Sequence, residues 1–133
     1  MSASGAGRQK RSGGNLRDSQ APIDWSVFRE MWKLEGDSER ELLVDFSASN
    51  RDDVVALKAA LTRRERVALA RAAHRISGAS HAMGAIRLSS ACTELENRAG
   101  KADWNQLQEL VTRIEACCES LDAYVKSRYE TAA

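Results

Sequence analysis

The sequence predicts an all-α fold: an antiparallel four-helix bundle with a short additional N-terminal helix. Three observations predict it. Ala, Leu, Arg and Glu are abundant, aromatic residues make up only 5% and there is a single proline, a mix that favours helix over strand. No cluster of Val and Ile offers an extended strand. Apolar residues recur in steps of three and four along four separate stretches, the seam spacing of helices packed side by side, and short connections between the stretches make neighbours antiparallel.

The 133 residues fit one domain with some tail. Residues 1–21 read as a disordered leader or linker, residues 22–130 as the helical domain and residues 131–133 as a tail. The leader holds Gly5, Gly7, Gly13 and Gly14 with Arg8, Lys10 and Arg11, and only Leu16 to bury, so nothing offsets the entropy of ordering it. It reads as a flexible tether, with a basic arm for nucleic acid as the alternative.

The first ordered element is a short helix opened by Pro22 and Asp24 and running to about Leu34. Trp25, Phe28 and Trp32 lie on one of its faces and read as core anchors, and Gly36 ends it. Ser38 and Glu41 have capping-box spacing, so a second helix starts near Ser38. Its stripe is Leu43, Phe46, Asn50, Val54, Leu57 and Leu61, with Asp52 and Asp53 on the solvated side. Asn50 is either a buried polar pin or a sign that the face is partly wet. Thr62 and Glu65 repeat the capping-box spacing, so a third helix begins around Arg63 and runs to about Met83. Leu69, Ala73, Ile76, Ser80 and Met83 form its seam. Gly84 breaks the run. The fourth helix carries Leu88, Cys92, Leu95 and Ala99 until Gly100 stops it. Asp103, with Gln106 at the box position, caps the fifth. That helix has the cleanest stripe, Trp104, Leu107, Val111, Ile114, Cys118, Leu121 and Val125, and fades into a polar tail from Lys126.

Several function classes fall away. The net charge of +1 gives the whole chain no bias towards nucleic acid. No apolar run is long enough to span a bilayer and no signal-peptide core is present, so a cytoplasmic setting without direct membrane contact is expected. Cys92, Cys117 and Cys118 are odd in number and lack C-x-x-C spacing; they read as small apolar residues in a reducing compartment, and no metal site is expected.

His74 stands out. At about 100° per residue it lies roughly 160° from Ile76, nearly opposite the seam. Val67, Ala70, Arg71, Ser77, Gly78 and His81 share its face. A lone histidine is ordinarily a surface residue or a satisfied core residue. The small Ala70, Ser77 and Gly78, however, leave the imidazole open. A glycine inside a helix costs about 1 kcal/mol relative to alanine and calls for a packing or access reason. His81 lies two turns from His74, too far to share one ion without a ligand between them. No Ser, Cys or carboxylate partner is indicated near His74 by spacing, which argues against a hydrolase. Arg63, Arg64, Arg66, Arg71 and Arg75 read as one basic helix, offset only by Glu65: a docking surface for an anionic site or a solvated face. The break at Gly84 suggests helix-turn-helix, but the long seams argue for a bundle.

Ala73-His74-x-Ile76-x-Gly78, followed by Gly84-Ala85, Leu88, Cys92 and Leu95-Glu96, resembles the histidine-containing phosphotransfer (HPt) domain. That family's pattern is Ala-His-x-Leu-Lys-Gly, then Gly-Ala, Leu and Leu-Glu at the same intervals. The sequence is most similar to HPt domains at the C-terminal end of hybrid sensor histidine kinases. The resemblance implies a phosphorelay intermediate that accepts a phosphoryl group on His74 from a receiver-domain aspartate and passes it to a response regulator. Gly78 maps onto the access glycine. Ser77 stands where the family has lysine, leaving Ser77, Arg71 and Arg75 as the expected support for the phosphoryl group, Arg71 first. Val67, Ala70 and His81 are the expected docking surface. The implied partners are receiver domains, which bring Mg²⁺; the chain itself needs no cofactor and has no autonomous kinase activity. A monomer is expected, with no nucleic-acid partner, in the cytoplasm or at the cytoplasmic end of a membrane-bound kinase. A helical adaptor that binds a receiver without taking phosphate is the competing reading, and a nucleic-acid-binding helical domain a further one.

Overall fold

The computed structural model describes residues 22–130; the expected leader, residues 1–21, and the tail, residues 131–133, lie outside the described residues. Five helices succeed one another: α1 (Trp25–Trp32), α2 (Gly36–Arg63), α3 (Arg66–Ala82), α4 (Ile86–Arg98) and α5 (Trp104–Glu130). Among the described residues there is no strand.

Cross-helix pairs give the arrangement. Arg51 meets Asp122 at 2.7 Å and Lys58 meets Glu115 at 2.8 Å. As numbers rise on α2 they fall on α5, so the two run antiparallel. His74 with Glu96 and Ser77 with Thr93 show the same for α3 and α4. The packed neighbours are α2 with α3, α3 with α4, α4 with α5, and α5 with α2, closing a four-helix ring.

Most residues of the expected seams are buried, while Leu61 of the second and Trp104 and Cys118 of the fifth are half-buried against the core. Leu69, Ala73, Ile76, Ser80 and Met83 of the third seam all lie inside, as do Leu88, Cys92, Leu95 and Ala99 of the fourth. Leu107, Val111, Ile114, Leu121 and Val125 complete the core from α5. Asn50 is 2% exposed, so the face is not wet there, but its Nδ2 finds no hydrogen-bond partner and pins nothing through that atom.

The helix starts differ from those the capping boxes predict. α2 opens at Gly36 rather than Ser38, after an extended Glu35 that makes no side-chain cap. Gly36, at φ +61°, therefore begins a helix rather than ending one, and the left-handed end of α1 falls on Lys33. Thr62 lies in the last turn of α2. Arg64 closes that helix in the left-handed region, and α3 begins at Arg66 behind Glu65, which makes no side-chain cap. The backbone satisfies the junction instead: the Glu65 amide donates to Ala60 O at 2.9 Å and the Arg64 amide to Leu61 O at 3.1 Å. By contrast Asp103 caps α5 as expected, its carboxylate accepting from the Gln106 amide at 2.8 Å. α5 does not fade at Lys126 but continues to Glu130, because Arg128 and Tyr129 both bond the buried Glu39 at the start of α2.

α1 closes the bundle end where α3 turns into α4. The Asp24 amide donates to Gly84 O at 2.7 Å, and the Trp25 indole donates to the Tyr124 hydroxyl at 2.7 Å. Phe28 is fully buried, while Trp32 is 37% exposed and donates its indole N–H to Ala82 O at 2.9 Å. Trp32 therefore ties α1 to the end of α3 and is not a core anchor.

Candidate functional site

His74 sits in the middle of α3, on the side away from the buried seam, and its side chain is 73% exposed. The ring is nevertheless held. Nδ1 lies 2.9 Å from Glu96 Oε2 on α4. A carboxylate only accepts, so Nδ1 carries the proton and donates, leaving Nε2 with a free lone pair. Spacing along the chain indicated no carboxylate partner for His74, and here the structure corrects it. Glu96 is 22 positions away in sequence, and the α3–α4 turn brings it alongside. Its signal was indirect: Leu95 belongs to the buried seam of α4, so the next residue flanks that seam.

The two flanks of His74 differ. Towards α4, the Ser77 hydroxyl pairs with the Thr93 hydroxyl at 3.0 Å. Towards α2, the Arg75 guanidinium pairs with Asp53 at 3.1 Å. Asp53, expected on the solvated side, has a side chain only 21% exposed because Arg75 covers it.

An open groove of about 570 Å³ runs from His74 towards the N-terminal end of α3. It is lined by Arg66, Val67, Ala70, Arg71, His74 and Arg75 of α3, by Glu96 of α4, and by Ala99 and Gly100 just beyond it. Of the expected docking residues, Val67 and Ala70 line it. Val67 is 65% exposed, an apolar side chain left on the surface beside the imidazole. His81, Ser77 and Gly78 are not among the groove residues. Gly78 lies one turn beyond His74, and a Cβ built there meets no atom within 4 Å. No packing reason for this glycine exists among the described residues, which leaves access to the imidazole.

The arginines do not form one basic helix face. Arg63 ends α2 and Arg64 lies in the connection. The Arg64 and Arg66 guanidinium groups lie over the Trp104 ring at 5.2 and 4.4 Å, and Arg66 also donates to the carbonyls of Ala99 and Ala102 at 2.9 and 2.8 Å. These contacts fasten the α2–α3 connection to the α4–α5 turn. Only Arg71 and Arg75 remain beside the histidine, so the chain presents no continuous cationic stripe on α3.

Two of the three cysteines are poor nucleophiles. The Cys92 and Cys118 thiols are pushed up to about 12 by desolvation and stay protonated at neutral pH. Among the described residues, no group of three or more His, Cys, Asp or Glu could hold a metal ion, and no helix is long and apolar enough to cross a membrane.

The arrangement is therefore a single imidazole, fixed at one nitrogen and open at the other, beside an apolar and cationic groove. A family model described as the Hpt domain matches residues 41–124, well over half the chain, running from early α2 to late α5. Comparison with curated proteins and with solved structures gave no match.

Proposed function

Because this chain belongs to the Hpt domain family, whose place is histidine phosphotransfer in two-component signalling, we propose that His74 is its phosphoryl carrier. It takes the group from the aspartyl phosphate of one receiver domain, that of a hybrid sensor histidine kinase, and gives it to a response regulator. The observation that carries this reading is the state of the ring, exposed at Nε2 and held at Nδ1 by Glu96.

The step balances simply. The Nε2 lone pair attacks phosphorus and a P–N bond forms. The P–O bond to the receiver aspartate breaks, and the carboxylate leaves with the bonding pair. The Nδ1 proton stays in place. Positive charge that develops in the ring is stabilised by the Glu96 carboxylate, as a carboxylate orients and steadies an imidazolium elsewhere. The same hydrogen bond helps the second transfer, because a ring still protonated at Nδ1 is the better leaving group. The rest is positioning and charge neutralisation. Val67 and Ala70 offer an apolar landing beside the ring, and Gly78 keeps the approach clear. Mg²⁺ and the acidic residues that hold it come with the receiver.

The test is to incubate the chain with a phosphorylated receiver, comparing wild type with His74→Gln. Acid-labile label on wild type alone is expected. Label that survives the substitution moves the site elsewhere, with His81 the next histidine to examine. Binding without label favours an adaptor that docks a receiver but takes no phosphate.

A further inference from the structure

Resting on His74 as the carrier, we infer that Arg71 supplies the positive charge that balances the phosphoryl group. A phosphoryl group carries between one and two negative charges near neutral pH. Attached at Nε2 it also lies on the same ring as Glu96, whose charge is bound to the opposite nitrogen. Glu96 is matched by the ring, which keeps its Nδ1 proton and turns positive on phosphorylation, so the phosphoryl group needs a cation of its own.

Four side chains around His74 are candidates, and three are already engaged. The Ser77 hydroxyl is neutral and shares its hydrogen bond with Thr93. Arg75 also lines the groove, but its guanidinium pairs with Asp53, a carboxylate mostly shielded from water. Arg66 lies at the far end of the groove, with two backbone carbonyls and the Trp104 ring fixing its guanidinium. Arg71 lines the same groove as His74, and among the described residues it makes no hydrogen bond, ion pair or ring contact. It is one turn before His74, a spacing at which helix side chains are surface neighbours. Its planar fork of donors suits a phosphoryl oxygen pair. The counter-charge thus lies in the groove that Arg71 shares with His74, apart from the neutral pair of Ser77 and Thr93.

The experiment separates stabilisation of the phosphoryl group from docking. The full chain and a phosphorylated receiver are mixed until the label stops redistributing, and the final partition is read. That partition compares free proteins and does not depend on how fast they dock. Arg71→Gln should shift it away from this chain about fivefold, the size of a well-placed exposed ion pair, and Arg71→Lys should restore most of it. A ³¹P titration of the phosphorylated chain gives a second readout. A neighbouring cation favours the dianion, so Arg71→Gln should raise the pH at which the phosphoryl group loses its last proton. An unchanged partition and an unchanged titration overturn the assignment while leaving the carrier reading intact. A loss that Arg71→Lys does not restore, with a lower melting temperature, makes Arg71 structural and overturns it too. No label on wild type, or label that survives His74→Gln, overturns the carrier reading and this assignment with it.

Discussion

Gly78 weakens its own helix. A glycine inside a helix costs about 1 kcal/mol relative to alanine through the backbone freedom it gives up, and no atom within 4 Å of a built Cβ offers a return. A position that gives up stability without a packing reason is best explained by the space it keeps. That space lies one turn from His74, on the exposed side of α3. Two substitutions divide the effects. Gly78→Ala should raise the unfolding free energy in urea by about 0.5–1 kcal/mol with little change in transfer. Gly78→Trp should leave the melting temperature near that of Gly78→Ala and slow transfer from a phosphorylated receiver at least tenfold, while label from a small donor such as phosphoramidate still reaches His74. If Gly78→Ala instead destabilises the fold, the glycine is needed for packing and the access argument fails.

At the scale of elements, the seams were legible in the sequence and the junctions were not. Leu69, Ala73, Ile76, Ser80 and Met83 announce themselves because a buried stripe must recur every three or four residues, and all five are buried. The capping boxes at Ser38 and Thr62 misled because a cap competes with whatever else satisfies the end of a helix. At the α2–α3 junction the left-handed Arg64 and its backbone bonds do so, and stacking of Arg64 and Arg66 on Trp104, far along the chain, holds the turn. Partners such as Glu96 for His74 were beyond reach for the same reason: cross-helix register is set by turns and packing, not by spacing along one helix. The α3–α4 turn shows how tight such a junction is. Gly84 has φ +77°, and a Cβ there would lie 2.5 Å from the Asp24 carbonyl oxygen, a backbone atom that cannot swing aside. The Asp24 amide in turn donates to the Gly84 carbonyl. Gly84→Ala should therefore cost about 2 kcal/mol, from left-handed strain and from displacing the start of α1. A lower melting temperature together with faster amide exchange in α1 would show both. An unchanged melting temperature would mean that α1 is not fastened to the turn.

Across the whole molecule, the proposed carrier is exposed, whereas two thiols and a phenol lie in or against the core. His74 has an open nitrogen on the flank of the bundle. Cys92 is fully buried, and Cys118 is half-buried. At the closed end, Tyr129 donates to Glu39, whose side chain is only 8% exposed and also bonds Arg128. This distribution sets how stability depends on pH. Burial raises both thiols from 9.0 to about 12. Desolvation and then the hydrogen bond to Glu39 raise Tyr129 from 10.0 to about 12. All three groups stay protonated in the folded chain over a range in which the unfolded chain has lost those protons. The unfolded state then binds fewer protons than the native one, so stability falls as pH rises. Their contribution is intact below about pH 9 and is lost progressively between roughly pH 9 and pH 12. Urea midpoints should be flat from about pH 7 to pH 8.5 as far as these groups are concerned, and should drop steadily above about pH 9. Tyr129→Phe should remove the part of that drop belonging to the phenol, and Cys118→Ala the part belonging to that thiol. A midpoint that stays level up to about pH 11 would mean that these groups are open to water and that the core is looser than its packing implies.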